Sequence, residues 1–565
     1  MFYKPTWWKE AVGYQIYLKS FKDSNNDGIG DLNGIREKLP YLKNLGITLI
    51  WICPFYKSPM DDNGYDVADF FDIDPSFGTL DDMKLLIKEA HQLGIRIIAD
   101  FVMNHTSDEH IWFIESRKSK DNPYRDYYIW ADGKIVDGKE EPPTNWASFF
   151  GGSCWEKDLL TNQYYMKIFS NKMPDLNYKN SKVRHEMMNV ATFWLDLGID
   201  GFRIDAVAHL GRKDELIDSK MDTPGKYKPD WRMFSNLPVI FDYLAEFRKY
   251  VFNKYDIVTI GEVGGGATPE EALSYSGLNE GSLNMVFNFD HCWSNNVWDL
   301  KKKAPIVVDL VNLKKNFKKW QNGLYGKAWT PIYWLNHDHP RLISQYGDEN
   351  NIYLSGSMLG SSLYFMWGTP FVYQGEEIGM INYPFKTIDD FNDVQDKNNY
   401  YLNDIESSPN KDEYLYLMGI KSRDNARTIM SWDDTKNAGF SNVKPWFNIL
   451  PNHKEYNVKK ALEDEKSIYK HYREIFKLRA NPHYKKTLIY GSYNQLLPRH
   501  KDVYAYVRVN DKKILTVANF FNKDVKISIR GYKVKKVLLS NYDNPQKALT
   551  NLKLRPYETI TYLVE

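Results

Sequence analysis

Eight short runs rich in β-branched and aromatic residues recur along the chain, with helix-patterned stretches between them. They are Val12–Tyr17, Thr48–Cys53, Ile95–Val102, Gly201–Val207, Ile257–Glu262, Leu283–Phe287, Pro331–Asn336 and Tyr364–Tyr373. This alternation constrains the fold more than any other feature. Strand runs joined by helices read as parallel βα units, and eight is the number that closes a TIM barrel. The stretches between carry the helical period: Asp81–Leu93 sets Met83, Leu86, Ile87, Ala90 and Leu93 at i, i+3, i+4 spacing.

The expected architecture is therefore α/β. A (β/α)8 barrel is built from 1–104 and 175–486, interrupted after strand three by a subdomain of 105–174 rich in Trp, Tyr, Asp and Asn. A second, polar insertion, 379–456, follows strand eight within the barrel range. From 487 to 565 the pattern changes to strands with turn signals (VYAYVRV-ND-KKILTVANFFNKDVKISI), which predicts a C-terminal antiparallel β domain, a β-sandwich. The chain of 565 residues is several times the usual domain size, which agrees with this division.

Composition removes several function classes. A net charge of +1 gives no field to gather nucleic acid or anionic lipid. There is no uncharged apolar run of about 18 residues, and the N-terminal MFYKPTWWKE has no apolar h-region. The expectation is a cytoplasmic protein, a monomer or homodimer, with neither a nucleic-acid nor a membrane partner. Cys53, Cys154 and Cys292 are odd in number and widely spaced, so they read as buried apolar residues rather than a disulfide framework. Lys301–Lys303 and Lys314–Lys319 read as solvated helix faces.

In parallel barrels the chemistry lies at the C-terminal ends of the strands. The polar residues there are Asp100, Asn104 and His105 after strand three, Arg203 and Asp205 on strand four, Glu262 ending strand five, and His337 and Asp338 after strand seven. Asp205, Glu262 and Asp338 come from three different strands and would converge on one cavity. Two carboxylates are what glycoside hydrolysis needs, and a third can stabilise an oxocarbenium-like transition state. HDH at 337–339 has the look of metal spacing, but a zinc site is not expected there.

DSNNDGIGD at 23–31 is a separate constellation, with oxygen donors at alternating positions and Gly28 at the sixth, like the start of an EF-hand loop. Asp23, Asn25, Asp27, the carbonyl of Ile29 and Asp31 would be the ligands. Gly34 stands where an EF-hand has its bidentate Glu, so the segment is either a different cation loop or a polar turn.

DFVMNH at 100–105, GFRIDAV at 201–207, TIGEV at 259–263 and LNHDHP at 335–340 resemble, in order, the four conserved regions of the α-amylase superfamily. AVGYQIYLKSF, DSNNDGIGDLNGI, DDNGYD, FFGGSCWE, MPDLNY, GTPFVYQGEEIGM and SRDNARTIMSWD are similar to the bacterial α-glucosidase and oligo-1,6-glucosidase branch of that superfamily. The likeness runs from about Trp7 to Trp446 almost without a break.

The resemblance implies roles for matching positions. Asp205 takes the nucleophile position, Glu262 the acid/base position and Asp338 that of the transition-state stabiliser, with Arg203 holding the nucleophile ionised. His105 and His337 match histidines that bond hydroxyls of the terminal glucose. Asp62 and Tyr65 match residues that hold its distal hydroxyls and stack under its ring, and Arg423 fits an arginine that pairs with Asp62 and closes the pocket. Phe150 and Phe169 resemble apolar residues near the mouth. The loop at 23–31 is implied to hold a structural Ca2+, with Mg2+ as the alternative occupant. In this branch the residue after the nucleophile looks like a selector, Val accompanying α-1,6 preference and Ala or Thr α-1,4 preference.

The resemblance implies a retaining, exo-acting α-glucosidase, and Ala206 directs it to α-1,4-linked glucose at the non-reducing end of maltose and short malto-oligosaccharides, with transglucosylation left open. The alternative is an oligo-1,6-glucosidase acting on isomalto-oligosaccharides. The Arg- and Asp-rich loop of sucrose isomerases is absent, Asn322–Lys327 reading NGLYGK, which speaks against sucrose isomerisation.

Overall fold

The computed structural model describes residues 3–264, 266–294 and 308–565. The run Lys301–Lys303 lies outside the described residues. Eight strands form one parallel sheet: β1 (Gly13–Ile16), β2 (Leu49–Ile52), β3 (Arg96–Val102), β4 (Gly201–Asp205), β5 (Val258–Glu262), β6 (Met285–Phe287), β7 (Pro331–Tyr333) and β8 (Thr369–Tyr373). Their spatial order, β6-β5-β4-β3-β2-β1-β8-β7, brings β6 and β7 to a common seam and leaves a near-closed barrel. Each lies within its run in the sequence. They are short and buried along almost their whole length, as strands covered on the outside by helices and filled inside by side chains must be.

Local chemistry explains where the elements start and stop. The helix Leu80–Gln92 opens with a capping box in which Thr79 and Asp82 exchange side chain-to-backbone bonds, and it buries Met83, Leu86, Ile87 and Ala90. β4 begins at Gly201 with φ 135°, where an added Cβ would lie 1.9 Å from the Val258 carbonyl oxygen, so only glycine lets β4 and β5 approach.

Between β3 and β4 the chain leaves the barrel. It forms a three-stranded antiparallel sheet (Trp130–Ala131, Gln163–Met166, Trp155–Asp158) and a hairpin (Lys134–Val136 with Lys139–Glu141) around Trp146, Cys154, Trp155, Met166 and Ile168. Both ends of this excursion are fastened at one point. Arg212, from the segment after β4, donates to Asp175 Oδ2 at 2.8 Å and Asn104 Oδ1 at 3.1 Å, while Asn104 donates to Asp175 Oδ1 at 3.0 Å.

After β8 the loop carries two buried glutamates. Tyr364 and Tyr472 donate to Glu376 Oε1 at 2.6 and 2.8 Å, and Tyr14 and Tyr41 donate to Glu377 Oε1 at 2.7 and 2.6 Å. Helices Val394–Leu402, Lys411–Lys421 and Asp424–Arg427 follow, the first two packed around Tyr400, Leu415 and Met418.

The C-terminal part is a five-stranded antiparallel sheet (Ser492–Leu496, Val503–Val509, Lys513–Asn519, Thr559–Val564, Val534–Ser540, in spatial order) with a two-stranded ribbon, Val525–Ile527 and Leu552–Leu554. Val503, Leu515, Val517, Leu552, Leu554 and Ile560 fill the space between them. Polar contacts lock this part to the barrel. Arg508 donates to the carbonyls of Phe365 (2.6 Å), Leu488 (2.8 Å) and Gly491 (2.8 Å).

Lys314 corrects the expectation of a solvated lysine face. It is fully buried on the helix Leu310–Leu324, and its ammonium donates to the carbonyls of Leu497, His500 and Val503. Cys53, Cys154 and Cys292 are free thiols, all buried. Among the described residues no helix is long and apolar enough to cross a membrane.

Candidate active site

At the C-terminal rim of the barrel a cavity of about 640 Å³ opens between the two insertions. Its floor is organised by one guanidinium. Arg203 and Asp205 alternate along β4, so both project to the same side. Arg203 Nη1 donates to Asp205 Oδ1 at 2.6 Å and to Asp100 Oδ1, on β3, at 2.8 Å; Nη2 donates to Glu262 Oε2, ending β5, at 2.5 Å. Glu262 Oε2 also accepts the N–H of Ala206 at 3.1 Å.

Burial pushes Glu262 up to about 7, with Asp205 and Asp338 adding to the rise and Arg203 opposing it. Burial lifts Asp205 to about 6 against the pull of Arg203. Asp205 titrates together with Asp100, which burial also lifts to about 6 and which shares its Arg203 nitrogen, and Glu262 is the last of the three to lose its proton.

The opposite wall is built from β1, the segments after β2 and β7, and the insertion after β8. Tyr65 stacks on His337 with ring centroids 5.1 Å apart and planes 4° apart, and its hydroxyl donates to Asp100 Oδ2 at 2.9 Å. Gln15 Nε2 meets His337 Nδ1 at 2.8 Å, which puts the ring proton on Nε2, 3.2 Å from Asp338 Oδ2. Burial keeps His337 and His105 neutral, each near 3. Asp338 accepts from Arg423 at 3.2 Å and Arg427 at 3.1 Å. Burial alone would raise it, but His337 and these guanidiniums outweigh burial and hold it well below the usual carboxylate range.

Arg423 closes the far end. It reaches Asp62 Oδ1 at 3.2 Å and Asp393 Oδ2 at 2.6 Å, and its guanidinium carbon lies 4.9 Å from the Phe150 ring centroid. Phe169 packs edge-on to His105 at 5.3 Å. Asp62, Tyr65, His105, Phe150, Phe169, Asp205, Glu262, His337, Asp338 and Arg423 thus all line one cavity, with Arg203 beneath them.

Several contributors carry no assigned role in the sequence reading. Arg427 and Asp393 complete the ion-pair wall, and Arg427 could have been found, since it stands four residues after Arg423 on the same helical face. Asp100 appears there only as an acid at a strand end. Trp231 and Phe149, stacked at 4.2 Å, line the open side and have no local signal. His337 and His339 both line the cavity, where the chain turns after β7: Asn336 Oδ1 accepts the Asp338 N–H at 2.8 Å and meets His339 Nδ1 at 2.6 Å.

The loop at 23–31 lies away from this cavity and is folded on its own backbone. Asp23 accepts the N–H groups of Asn25, Asn26 and Gly28, Asp27 accepts that of Ile29, and Asp31 caps the helix Leu32–Leu45. Among the described residues no group of three or more His, Cys, Asp or Glu is gathered to hold a metal. The donors in this loop are all oxygens, the kind that hard cations take.

A parallel barrel with carboxylates gathered on one guanidinium at its C-terminal rim is built like a glycoside hydrolase. Residues 15–491 match the family described as alpha amylase, catalytic domain, and 503–561 match the alpha-amylase SusG C-terminal domain. The chain is 45% identical to an oligo-1,6-glucosidase of Parageobacillus thermoglucosidasius, over 99% of each, and 42% identical to a glucan 1,6-alpha-glucosidase of Streptococcus pneumoniae, over 95% of each. A trehalose-6-phosphate hydrolase of Bacillus licheniformis superposes with a TM-score of 0.92 at 38% identity, covering 99% of this chain and 100% of that one. An isomaltulose synthase of Protaminobacter rubrum gives 0.93 at 38%, covering 100% of both. The chain belongs to the α-amylase family of glycoside hydrolases, in its oligo-1,6-glucosidase branch.

Proposed function

We propose that this protein is a retaining, exo-acting α-glucosidase that removes glucose from the non-reducing end of short isomalto-oligosaccharides. The observation that carries exo-action is the blind end of the cavity, where Arg423 bonds Asp62, Asp338 and Asp393 and leaves no exit for a continuing chain. Retention is supported by the floor. Asp205 and Glu262 hang on neighbouring nitrogens of Arg203, an arrangement suited to the short spacing of about 5–5.5 Å of retaining pairs rather than the wider gap that admits a water.

Glu262, the later of the pair to ionise, protonates the leaving oxygen while ionised Asp205 attacks the anomeric carbon. The glycosidic bond breaks, the aglycone leaves as an alcohol, and a glucosyl ester forms on Asp205. Glu262 then takes a proton from water, which hydrolyses the ester with overall retention. Asp338, held ionised, faces the positive charge that develops on the ring. Asp62, Tyr65, His105 and His337 bind the terminal glucose, with Phe150 walling it beside Arg423 and Phe169 packed against His105. Asp23, Asn25, Asp27, Asp31 and the Ile29 carbonyl would hold a Ca2+ or Mg2+ ion that braces the first loop.

The linkage rests on the relatives, whose names specify α-1,6 bonds. The α-1,4 reading has Ala206 in its favour, because a methyl group there leaves room for a rigid aglycone. Measuring kcat/KM for isomaltose and maltose decides between them: a preference for maltose overturns the α-1,6 reading, and β-glucose as the first product overturns retention.

A further inference from the structure

Lys19 sits on the short 3-10 turn Leu18–Ser20 that follows β1, at the meeting point of three loops. Its ammonium lies 4.0 Å from the ring centroid of Trp446 and donates to Asn63 Oδ1 at 2.8 Å. Trp446 is itself fixed by its backbone N–H, which donates to the Gly28 carbonyl at 2.9 Å. Asn63 stands between Asp62 and Tyr65 in left-handed backbone (φ 52°), and its amide reaches Asn392 Oδ1 at 3.1 Å.

The turn that carries Asp62 and Tyr65 is therefore held from three directions. Asp66 accepts the N–H groups of Asp61 at 2.8 Å and Asp62 at 3.1 Å. Arg423 holds the Asp62 carboxylate from the far side. Lys19 holds Asn63 from the barrel side.

We propose that Lys19 is a positioning residue of the terminal-sugar pocket, whose ammonium fixes Asn63 and through it sets Asp62 and Tyr65 for the sugar. This rests on the reading of Asp62 and Tyr65 as glucose contacts. A charge-assisted bond to a side-chain amide, backed by an aromatic face, is strong while the amine is protonated and weak once it is neutral. Burial pulls Lys19 down to about 8. Arg427, from the insertion after β8, acts in the same direction, while Asp66 and Asp74 beside the turn and Asp424 on the insertion oppose it. The proton that holds the turn is thus lost just above neutrality, so affinity for glucose is full below about 8 and falls as pH rises through that value.

The test measures glucose binding to the intact chain by calorimetry from pH 6 to 10, for wild type, K19R and K19M, with Tm recorded for each. Wild type should weaken by about tenfold across the alkaline limb, the size of one lost charge-assisted bond. K19R, whose guanidinium stays charged, should bind as wild type does at pH 7 and stay flat to pH 10. K19M should be weak at every pH, its KM rising more than its kcat falls. An alkaline loss retained in K19R, or wild-type affinity in K19M, overturns the role of Lys19. If wild type binds no glucose at any pH, the pocket reading itself fails, and the inference falls with it.

Discussion

The backbone N–H of Ala206 donates to Glu262 Oε2 at 3.1 Å, and Ala206 itself lies in the left-handed region at φ 46°. The residue after Asp205 thus touches Glu262 directly and also lines the cavity. A206V should act on two observables. A β-branched residue in left-handed backbone costs on the order of 1–3 kcal/mol, so Tm should fall. Two added methyl groups crowd a rigid α-1,4 aglycone more than a flexible α-1,6 one, so the isomaltose-to-maltose ratio of kcat/KM should rise by roughly 10-fold or more. An unchanged ratio would remove this position from linkage selection.

Replacing the proposed nucleophile separates chemistry from binding. D205N should lose roughly 10³-fold or more in kcat, as when a covalent catalyst is removed. Glucose should still bind, because Asp62, Tyr65 and Arg423 remain. Turnover near that of wild type would end the assignment.

The rate should show a narrow bell. Its acid limb follows ionisation of Asp205 near 6, and its alkaline limb follows loss of the Glu262 proton near 7. E262Q should remove the fall near 7 for substrates whose leaving group needs no proton, such as an activated aryl glucoside, and leave only the later loss through about 8 that Lys19 brings. Profiles of kcat/KM against pH for both proteins check this, and a fall near 7 that persists in E262Q would assign it to another group.

Glu376 gives stability a pH dependence of its own. Burial pushes it up to about 8, against the hydroxyls of Tyr364 and Tyr472, which favour ionisation. Between the ordinary glutamate range and about 8 the folded chain keeps a proton that the unfolded chain has released, so this contribution is full at low pH and is lost as pH rises through 8. E376Q cannot titrate, so its Tm should fall less between pH 5 and 8.5 than that of wild type. Equal slopes would show that Glu376 does not carry the dependence.

If a cation braces the loop at 23–31, removing it should unsettle the fold before it touches bond cleavage. Chelation, or D23A with D27A, should lower Tm more than it lowers kcat at moderate temperature. Lost activity at an unchanged Tm would contradict a structural ion.

The barrel was legible because its signal is local: each run contains one of the strands β1–β8, and Asp205 and Glu262 end two of them. The ion-pair wall was half legible. Arg423 and Asp62 lie in recognisable motifs, but Asp393 belongs to a polar insertion whose path no periodicity specifies. Lys314 shows the opposite failure. It lies among lysines on an amphipathic helix, and only the C-terminal sheet, arriving nearly 200 residues later, turns its position into an interior one. Arg212 is similar, since Asn104 and Asp175 come together only once the excursion between them has folded.

The contacts of Lys314 and Arg508 also set an order of events during synthesis. Arg508 supplies hydrogen bonds to Phe365, Leu488 and Gly491, and Lys314 waits for three carbonyls between Leu497 and Val503. A nascent chain that has completed β8 therefore holds Asp205, Glu262 and Asp338 but still lacks Arg423, and its barrel carries an uncompensated ammonium on its flank. Active molecules should appear only once the segment through Arg508 has emerged, and chains stalled between Arg427 and Leu497 should accumulate as inactive, protease-sensitive intermediates although the residues of the cavity have been translated.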